Sequence, residues 1–359
     1  MHHRERFIHA FAQLGRFLGQ FLEENTIQEP SLKSLNVKHF RQFSALVDQE
    51  HLYNPWFTKT NVLRAITALS RMLKPESLGK WLNAYPEADL SPGSRRNIGV
   101  VMAGNIPLVG FHDMMCVIAG GHRMVAKTSS KDERLPGAVA GILKSLDHEL
   151  VEGIQFTDGQ LRGIDAIIAT GSNNTARYFD YYFRDIPHII RKNRNGVAVM
   201  TGQETEEEMA GLGEDIFTYF GMGCRNVTKI YIPETFDLKT LMVQLDRYQH
   251  LYQHHKYGNN VDYYRSIYLM NRTPILDNGV ILLKEDRAIA SPVGVVFYER
   301  YSDIGKVQLQ LADRKEEIQC CVSIHPEIQG SIPPGSTQDP MPWDYADGVD
   351  TLRFLTELK

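Results

Sequence analysis

The most reactive side chain of this sequence lies on a short glycine-rich turn. Gly-Met-Gly-Cys at 221–224 follows a helix-like run at 204–220 and precedes a strand-like run at 226–232. Glycines permit a sharp bend and the close approach of a second molecule, and a thiol on such a turn has few neighbours to shield it from a ligand. One interpretation is covalent chemistry at Cys224. The other is a small apolar cysteine that packs inertly at the turn.

An amide side chain follows the first strand-like run of the chain. Asn105 and Pro107 come directly after the apolar run 97–103. An asparagine amide can donate hydrogen bonds to negative charge that develops on an oxygen, and proline stiffens the backbone beside it. The alternative is that Asn105 caps the helix that follows.

Two further loops place hydroxyl and amide groups after apolar runs. Lys-Thr-Ser-Ser-Lys at 127–131 follows 124–126, and Thr-Gly-Ser-Asn-Asn-Thr at 170–175 follows 166–169. At a helix N-terminus such groups suit sugar hydroxyls and phosphates, although they also serve as simple caps. Neither loop has the G-x-G-x-x-G pattern of dinucleotide-binding proteins.

These loops belong to a segment in which strand-like and helical runs alternate. The runs 97–103, 109–120, 124–127, 132–148 and 166–169 indicate βαβ units and a parallel sheet with helices on both faces. Because ligands of open α/β sheets bind outside the carboxyl ends of the strands, we expect all three loops at one edge of this sheet.

The remaining patterns predict four regions. Residues 1–92 form a helical N-terminal region packed on an α/β domain at 93–198, a second α/β domain at 199–320 carries Cys224, and 321–359 form a C-terminal strand and arm. Within the last region, residues 343–350 form either a terminal arm that packs on a neighbouring subunit or a surface turn that leads into a docked end helix. The apolar stripe expected to pack the N-terminal region comprises Phe7, Ile8, Phe11, Leu14, Leu18 and Phe21.

Composition excludes several classes of protein. The chain has 359 residues, 43% hydrophobic and 23% charged, with a formal net charge of -4, which favours neither nucleic acid nor an anionic membrane as partner. No apolar run reaches the roughly 18 residues of a membrane span, and the N-terminus lacks a signal-peptide core, so a cytoplasmic protein without transmembrane segments is expected. The four cysteines have neither a disulfide-framework nor a zinc-site spacing, and no metal is expected.

In this order, Asn-Ile-Pro (105–107), Lys-Thr-Ser-Ser (127–130), Thr-Gly-Ser (170–172) and Gly-Met-Gly-Cys (221–224) resemble the aldehyde dehydrogenase superfamily. Within it, the chain looks most like acyl-CoA reductases of the LuxC-like family. The resemblance covers roughly residues 95–230. It implies an aldehyde dehydrogenase-like α/β fold, with a parallel-sheet nucleotide-binding domain, a second α/β catalytic domain and a helical N-terminal region.

The resemblance also implies roles for individual residues. Cys224 would be the nucleophile, and the Asn105 side chain with the Cys224 backbone N–H would form the oxyanion hole. Lys127 would contact the adenosine ribose of the cofactor or its phosphate, and Gly171 and Ser172 would lie at the pyrophosphate. Ser129 and Ser130 would also bind the cofactor.

Departures from the superfamily pattern favour reductive chemistry. Hydrolytic members carry a glutamate that activates water, but the corresponding stretch 189–196 contains no carboxylate. A thioacyl intermediate would then exchange with a thiol or accept hydride. The cations Arg191, Lys192 and Arg194 of this stretch either meet phosphates of coenzyme A or the nucleotide, or form a solvated turn.

Cofactor preference is indicated after Lys127. Many NAD-preferring relatives place a carboxylate three residues beyond this lysine. In this chain that position is Ser130, followed by Lys131, and a hydroxyl beside a cation suits a 2′-phosphate. We therefore expect NADPH, with NADH as the alternative, and coenzyme A as part of the substrate; Lys131 otherwise only faces solvent.

The sequence therefore predicts a homo-oligomeric NADPH-dependent enzyme that reduces an acyl-CoA, of fatty acyl type, to the aldehyde through a cysteine thioester. The chain is shorter than typical superfamily members after Cys224, and no Glu-x-Phe segment for the nicotinamide ribose is found. The alternatives are an enzyme that acts on another activated acyl donor and a catalytically silent binding or scaffold protein that retains the fold.

Overall fold

The computed structural model describes residues 2–22, 28–90 and 94–358. The helices are α1 (His3–Gly19), α2 (Lys33–Tyr53), α3 (Lys59–Met72), α4 (Pro75–Leu82), α5 (Phe111–Ala119), α6 (Arg134–Leu146), α7 (His148–Val151), α8 (Asn173–Tyr182), α9 (Glu206–Phe217), α10 (Leu238–Leu245), α11 (His255–Met270), α12 (Ile304–Asp313) and α13 (Thr351–Thr356). The strands are β1 (Asn97–Val101), β2 (Arg123–Lys127), β3 (Ile154–Phe156), β4 (Ala166–Thr170), β5 (His188–Arg191), β6 (Asn195–Val199), β7 (Val227–Pro233), β8 (Leu276–Asp277), β9 (Leu282–Glu285), β10 (Val295–Tyr301) and β11 (Ile318–Val322).

The chain divides into two compact units. The first comprises Met1–Lys192 and Asp339–Lys359, and the second comprises Asn193–Gln338. The boundary predicted at 92/93 falls within 91–93, outside the described residues. The boundaries predicted at 198/199 and 320/321 fall in β6 and β11, which pair with each other in the second unit, so a division there would cut through hydrogen-bonded strands.

A five-stranded parallel sheet forms the centre of the first unit, in the order β3-β2-β1-β4-β5. The central strands are apolar and buried, as strands covered on both faces require. From β1 the chain proceeds to β2 and β3 on one side and then returns to β4 and β5 on the other. The strand order therefore reverses between β1 and β4, where open α/β sheets bind ligands.

Helix α1 buries an aromatic face against the rest of the first unit. The rings of Phe7 and Phe11 stack with their centroids 4.1 Å apart, and Phe11 packs edge-on against Phe111 of α5. Burying each such ring stabilises the fold by about 1.5–3 kcal/mol. The predicted stripe is confirmed: Phe7, Phe11, Leu14, Leu18 and Phe21 are buried, and Ile8 is partly buried against the same core.

The C-terminal segment packs on the first unit of its own chain. The Tyr345 hydroxyl accepts a hydrogen bond from Trp81 Nε1 at 2.6 Å and lies 2.6 Å from the Tyr85 hydroxyl, which donates to Asp350 at 2.8 Å. In α13, Leu352 is fully buried. The docked end helix is thus the correct alternative for this segment.

The second unit is built on a six-stranded sheet in the order β11-β6-β7-β10-β9-β8. Its pairs are parallel except for β8 with β9. Strand β7 is buried from Val227 to Ile232 between β6 and β10. Two α/β units and a helical N-terminus confirm the predicted architecture.

Candidate active site

The turn that carries Cys224 is built on left-handed backbone. Helix α9 ends at Phe217, and in the following 3-10 turn Tyr219 has φ 56° and Phe220 has φ 58°. Gly221 continues with φ 74°. Bulky residues rarely adopt this conformation, and each costs of order 1–3 kcal/mol unless its surroundings hold it in place.

Asn226, which is completely buried, holds this turn in place through its side-chain amide. Its Oδ1 accepts a hydrogen bond from the Gly223 backbone N–H at 2.7 Å. Its Nδ2 donates to the carbonyl oxygens of Asp215 and Thr218, each at 2.9 Å. One amide thus joins the end of α9, the left-handed turn and the residue before Cys224.

Cys224 is half-buried, while the other described cysteines are less suited to react. Burial raises the pKa of Cys116 well above its ordinary value and raises the pKa of Cys320 and Cys321 to about 12. Because the thiolate is the nucleophile, a raised pKa suppresses reactivity. Cys320 Sγ lies 3.6 Å from the carbonyl oxygen of Arg225, beside the same turn.

The Asn105 loop follows β1 in the first unit. Asn105 is half-buried in a bend, and the N-cap of α5 is Gly110. The interpretation of Asn105 as a helix cap is therefore wrong. Leu108 in the same loop has φ 59°, a second left-handed position for a branched residue.

The loop after β2 lies directly against the Asn105 loop. A Cβ on Gly104 would lie 2.5 Å from Ser129 Oγ, so only glycine allows this approach. Lys127 and Ser130 are exposed, and Ser129 Oγ accepts a hydrogen bond from the Lys131 N–H at 3.3 Å.

The loop after β4 begins helix α8. Ser172 is the N-cap, and its Oγ accepts a hydrogen bond from the Thr175 N–H at 3.2 Å. A Cβ on Gly171 would lie 3.0 Å from Thr175 and 3.3 Å from Phe179, so glycine lets β4 turn tightly into the helix. The capping interpretation is correct for Ser172, and a cap leaves other N–H groups of the first helical turn available to an anion.

These three loops lie at one edge of the sheet of the first unit. Val101 at the end of β1 pairs with Lys127 of β2 and with Ala169 of β4. The loops after these three parallel strands therefore begin at the same edge of the sheet. The reversal of strand order lies between the Asn105 loop and Gly171. An exposed lysine, hydroxyls and a helix N-terminus are groups that bind ribose and phosphates.

Neither interpretation of the cationic stretch is correct for Arg191. Arg191 ends β5 and is buried, with Nη1 donating to Asp113 at 2.7 Å and Nη2 donating to Thr351 at 2.9 Å. Arg191 thus forms a structural ion pair with Asp113, and its two bonds join the edge of the sheet to α5 and α13. Arg194 lies in the second unit, where it pairs with Glu316 at 3.1 Å.

The structure groups the predicted cofactor residues and Asn105 in the first unit, and it places Cys224 in the second. Sequence reasoning missed Asn226, although its position just beyond the Gly-Met-Gly-Cys turn was a usable signal. His112 of α5 bonds the Pro342 carbonyl at 2.8 Å, and burial lowers its pKa, so its role is structural.

The described residues contain neither a metal-binding cluster nor a membrane-spanning helix. Within residues 2–22, 28–90 and 94–358, no cluster of His, Cys, Asp and Glu side chains is arranged to hold a metal ion. Over the same ranges, every helix is too short or too polar to span a bilayer.

No protein-family model matches the chain, and no curated protein matches it. Solved aldehyde dehydrogenases are similar in fold. The NAD+ complex of the enzyme from Bacillus cereus covers 92% of this chain and 73% of its own, with 13% identity and a TM-score of 0.59. Aldehyde dehydrogenase 21 from Physcomitrella patens, in complex with the reaction product succinate, covers 90% and 74%, with 12% identity and a TM-score of 0.61.

A third similar structure is the aldehyde dehydrogenase of Mycobacterium tuberculosis complexed with NAD+. It covers 89% of this chain and 74% of its own, with 12% identity and a TM-score of 0.58. Identities this low establish architecture and leave chemistry to be argued from the residues. The chain has an aldehyde dehydrogenase-like fold.

Proposed function

We propose that the protein reduces an acyl-CoA, of fatty acyl type, to the aldehyde with NADPH, through a thioester on Cys224. The observation that carries the proposal is the turn itself. A half-buried thiol follows three successive left-handed residues that a buried amide holds in place. Strain maintained at this cost is common at functional sites.

The first step is acyl transfer to sulfur. The Cys224 thiolate attacks the thioester carbonyl carbon, the bond from that carbon to the coenzyme A sulfur breaks, and coenzyme A leaves as its thiol with the proton that Cys224 gave up. The Asn105 amide and the Cys224 backbone N–H stabilise the oxyanion, each by about 3 kcal/mol. Asn105→Ala is therefore expected to slow acylation by two to three orders of magnitude, about 10²–10³-fold.

The second step needs a reductant held at the first unit. Lys127, Ser129 and Ser130 bind the adenosine end, and Gly171 and Ser172 lie at the pyrophosphate. When bound, NADPH would supply a hydride to the thioester carbon. The resulting hemithioacetal anion would take up a proton and break its carbon–sulfur bond, which releases the aldehyde and restores the Cys224 thiol.

Two features support NADPH and reduction over NAD+ and hydrolysis. Lys127 and Lys131 are exposed around Ser130, and the loop 127–131 contains no carboxylate that would repel a 2′-phosphate. The stretch 189–196, where hydrolytic relatives carry a glutamate, has none, and its Arg191 is committed to Asp113. Without a positioned base, water attack on the thioester is slow.

The test is formation of the acyl-enzyme itself. The protein is incubated with a fatty acyl-CoA without nicotinamide, and the intact mass is measured. We expect an increase equal to the acyl group, absent in Cys224→Ser and retained in the control Cys321→Ser. An unmodified wild-type protein, or acylation that persists in Cys224→Ser, would refute the assignment.

The same protein distinguishes the alternative functions. NADPH consumption with acyl phosphates in place of acyl-CoA identifies another activated donor. Iodoacetamide should alkylate Cys224 faster than the other thiols, with protection by acyl-CoA, because the other three have raised pKa values. Equal labelling of all four without protection favours a silent scaffold.

A further inference from the structure

A buried carboxylate lies beneath the Asn105 loop. Asp132, between β2 and α6, is 2% exposed. Its Oδ2 accepts a hydrogen bond from the Leu108 backbone N–H at 2.7 Å. Within the described residues, its Oδ1 has no hydrogen-bond partner.

The hydrogen bond between Leu108 and Asp132 holds the Asn105 loop at the residue whose backbone conformation is least favourable. Leu108 has φ 59°, and its side chain is buried, so the backbone can relax only by moving the loop. A left-handed branched residue persists only where its surroundings over-determine it. The Asp132 carboxylate supplies that constraint in the loop that carries Asn105.

The carboxylate also lies on a rigid support. The Asp132 N–H donates to the Ser129 carbonyl at 2.9 Å, and Asn54 Nδ2 of α2 donates to the Lys131 carbonyl at 3.1 Å. The Ser129 side chain in turn lies against Gly104. Movement of the Asp132 loop would therefore move the Asn105 loop.

The buried carboxyl group of Asp132 lowers the stability of the fold, which argues against an incidental role for it. Burial raises the pKa of Asp132 to about 7, and the negative charge of Glu50 on α2 adds to the effect. Glu50 is itself 3.3 Å from Arg134 of α6. A buried, incompletely bonded carboxylate is one of the more destabilising groups that a core can hold.

We propose that Asp132 is a positioning residue that fixes the Asn105 loop through the Leu108 amide and thereby orients the oxyanion-binding side chain. The proposal rests on the function proposed above. Asp132 touches neither substrate nor cofactor, and it acts only through Asn105.

The test measures single-turnover acylation with a fatty acyl-CoA alone, in Asp132→Leu and Asp132→Asn. Leucine has a similar shape and cannot accept the Leu108 hydrogen bond, whereas the asparagine oxygen can. We expect Asp132→Leu to slow acylation about ten- to a hundredfold, since misplacing a catalytic group by an ångström costs as much. Asp132→Asn should restore most of the rate.

An Asn105→Ala background separates positioning from a general structural role. Because Asp132 acts through Asn105, Asp132→Leu should slow Asn105→Ala much less than it slows the wild type. Equal slowing in both backgrounds, or failure of Asp132→Asn to restore the rate, overturns the proposal.

Amide hydrogen exchange gives a readout that needs no reaction. The backbone of 104–110 should exchange faster in Asp132→Leu than in wild type or Asp132→Asn, because the Leu108 N–H loses its acceptor. Unchanged exchange also overturns the proposal. If wild-type protein forms no acyl-enzyme, the proposed function fails, and the exchange result still decides whether Asp132 holds the loop.

Discussion

The side chain of Asn226 accepts a hydrogen bond from the Gly223 N–H at 2.7 Å, so the residue before Cys224 is held by a fully buried amide. The same amide bonds the carbonyls of Asp215 and Thr218. The position of the Cys224 thiol therefore depends on the hydrogen bonds of the Asn226 side chain.

Asn226→Ala should lower the free energy of unfolding by about 2–4 kcal/mol, because it leaves a buried N–H and buried carbonyls without partners. Urea denaturation measures the change. The control is Asn260→Ala, whose amide bonds only the Lys256 carbonyl on the surface of α11, and we expect a change within about 0.5 kcal/mol. Equal losses in the two variants would contradict the role given to Asn226.

Gly171→Ala should weaken NADPH binding about tenfold or more and leave acylation of Cys224 unchanged. The new Cβ would meet Thr175 at 3.0 Å and Phe179 at 3.3 Å, so the loop between β4 and α8 must shift, and 1.4 kcal/mol of lost binding is about tenfold. Fluorescence titration with NADPH measures the affinity. Gly137→Ala on α6, where a Cβ meets nothing within 4 Å, should bind NADPH normally.

Arg191→Met should cost about 3–5 kcal/mol of stability, because it leaves the buried Asp113 carboxylate without its counter-charge. The double variant Arg191→Met with Asp113→Asn should recover part of this loss, since no unpaired charge remains. Equilibrium unfolding of the two single variants and the double variant gives the coupling. Simple additivity of the single losses would show that the two side chains are energetically independent.

Asp132→Asn should change stability in a pH-dependent manner. The pKa of Asp132 is raised from 3.8 to about 7 by burial, so its protonated form stabilises the fold fully below about pH 4, and this contribution is lost as the pH rises through 7. Asparagine cannot ionise. Relative to wild type, the variant should therefore gain a few kcal/mol between pH 4 and pH 8, on the order of 1.4 kcal/mol per unit of pKa shift.

Asp147→Asn provides the control of opposite sign. The hydrogen bond from Arg6 lowers the pKa of Asp147, whose stabilising effect is present above its ordinary pKa and is lost as the pH falls through its folded value. Relative to wild type, this variant should lose stability as the pH rises through that range. Urea denaturation across the pH range measures both variants, and parallel trends would contradict the assignment of Asp132.

Alternation of strand-like and helical runs was sufficient to predict β1, α5, β2, α6 and β4. Strand β5 was missed because His-Ile-Ile-Arg ends in a charge, and a charge next to further cations is typical of a surface turn. Burial of Arg191 depends on Asp113 and Thr351, which are distant in sequence and adjacent only after folding. Local patterns cannot show such a pairing.

The candidate site likewise contains residues that the sequence predicted and residues that it did not. Residue type and spacing predicted Cys224, Asn105 and the loops after β2 and β4. The side chains that hold them were not predicted, because Asn226 and Asp132 act through bonds to backbone groups whose orientation is set by left-handed residues such as Phe220 and Leu108. No propensity scale favours those conformations for bulky side chains.

The return of Asp339–Lys359 to the first unit has a consequence for synthesis. A ribosome makes all of Asn193–Gln338 before the segment that covers Trp81 and Tyr85 emerges. The nascent first unit must therefore wait with an uncovered aromatic surface while the second unit, which is continuous in sequence, is already free to fold.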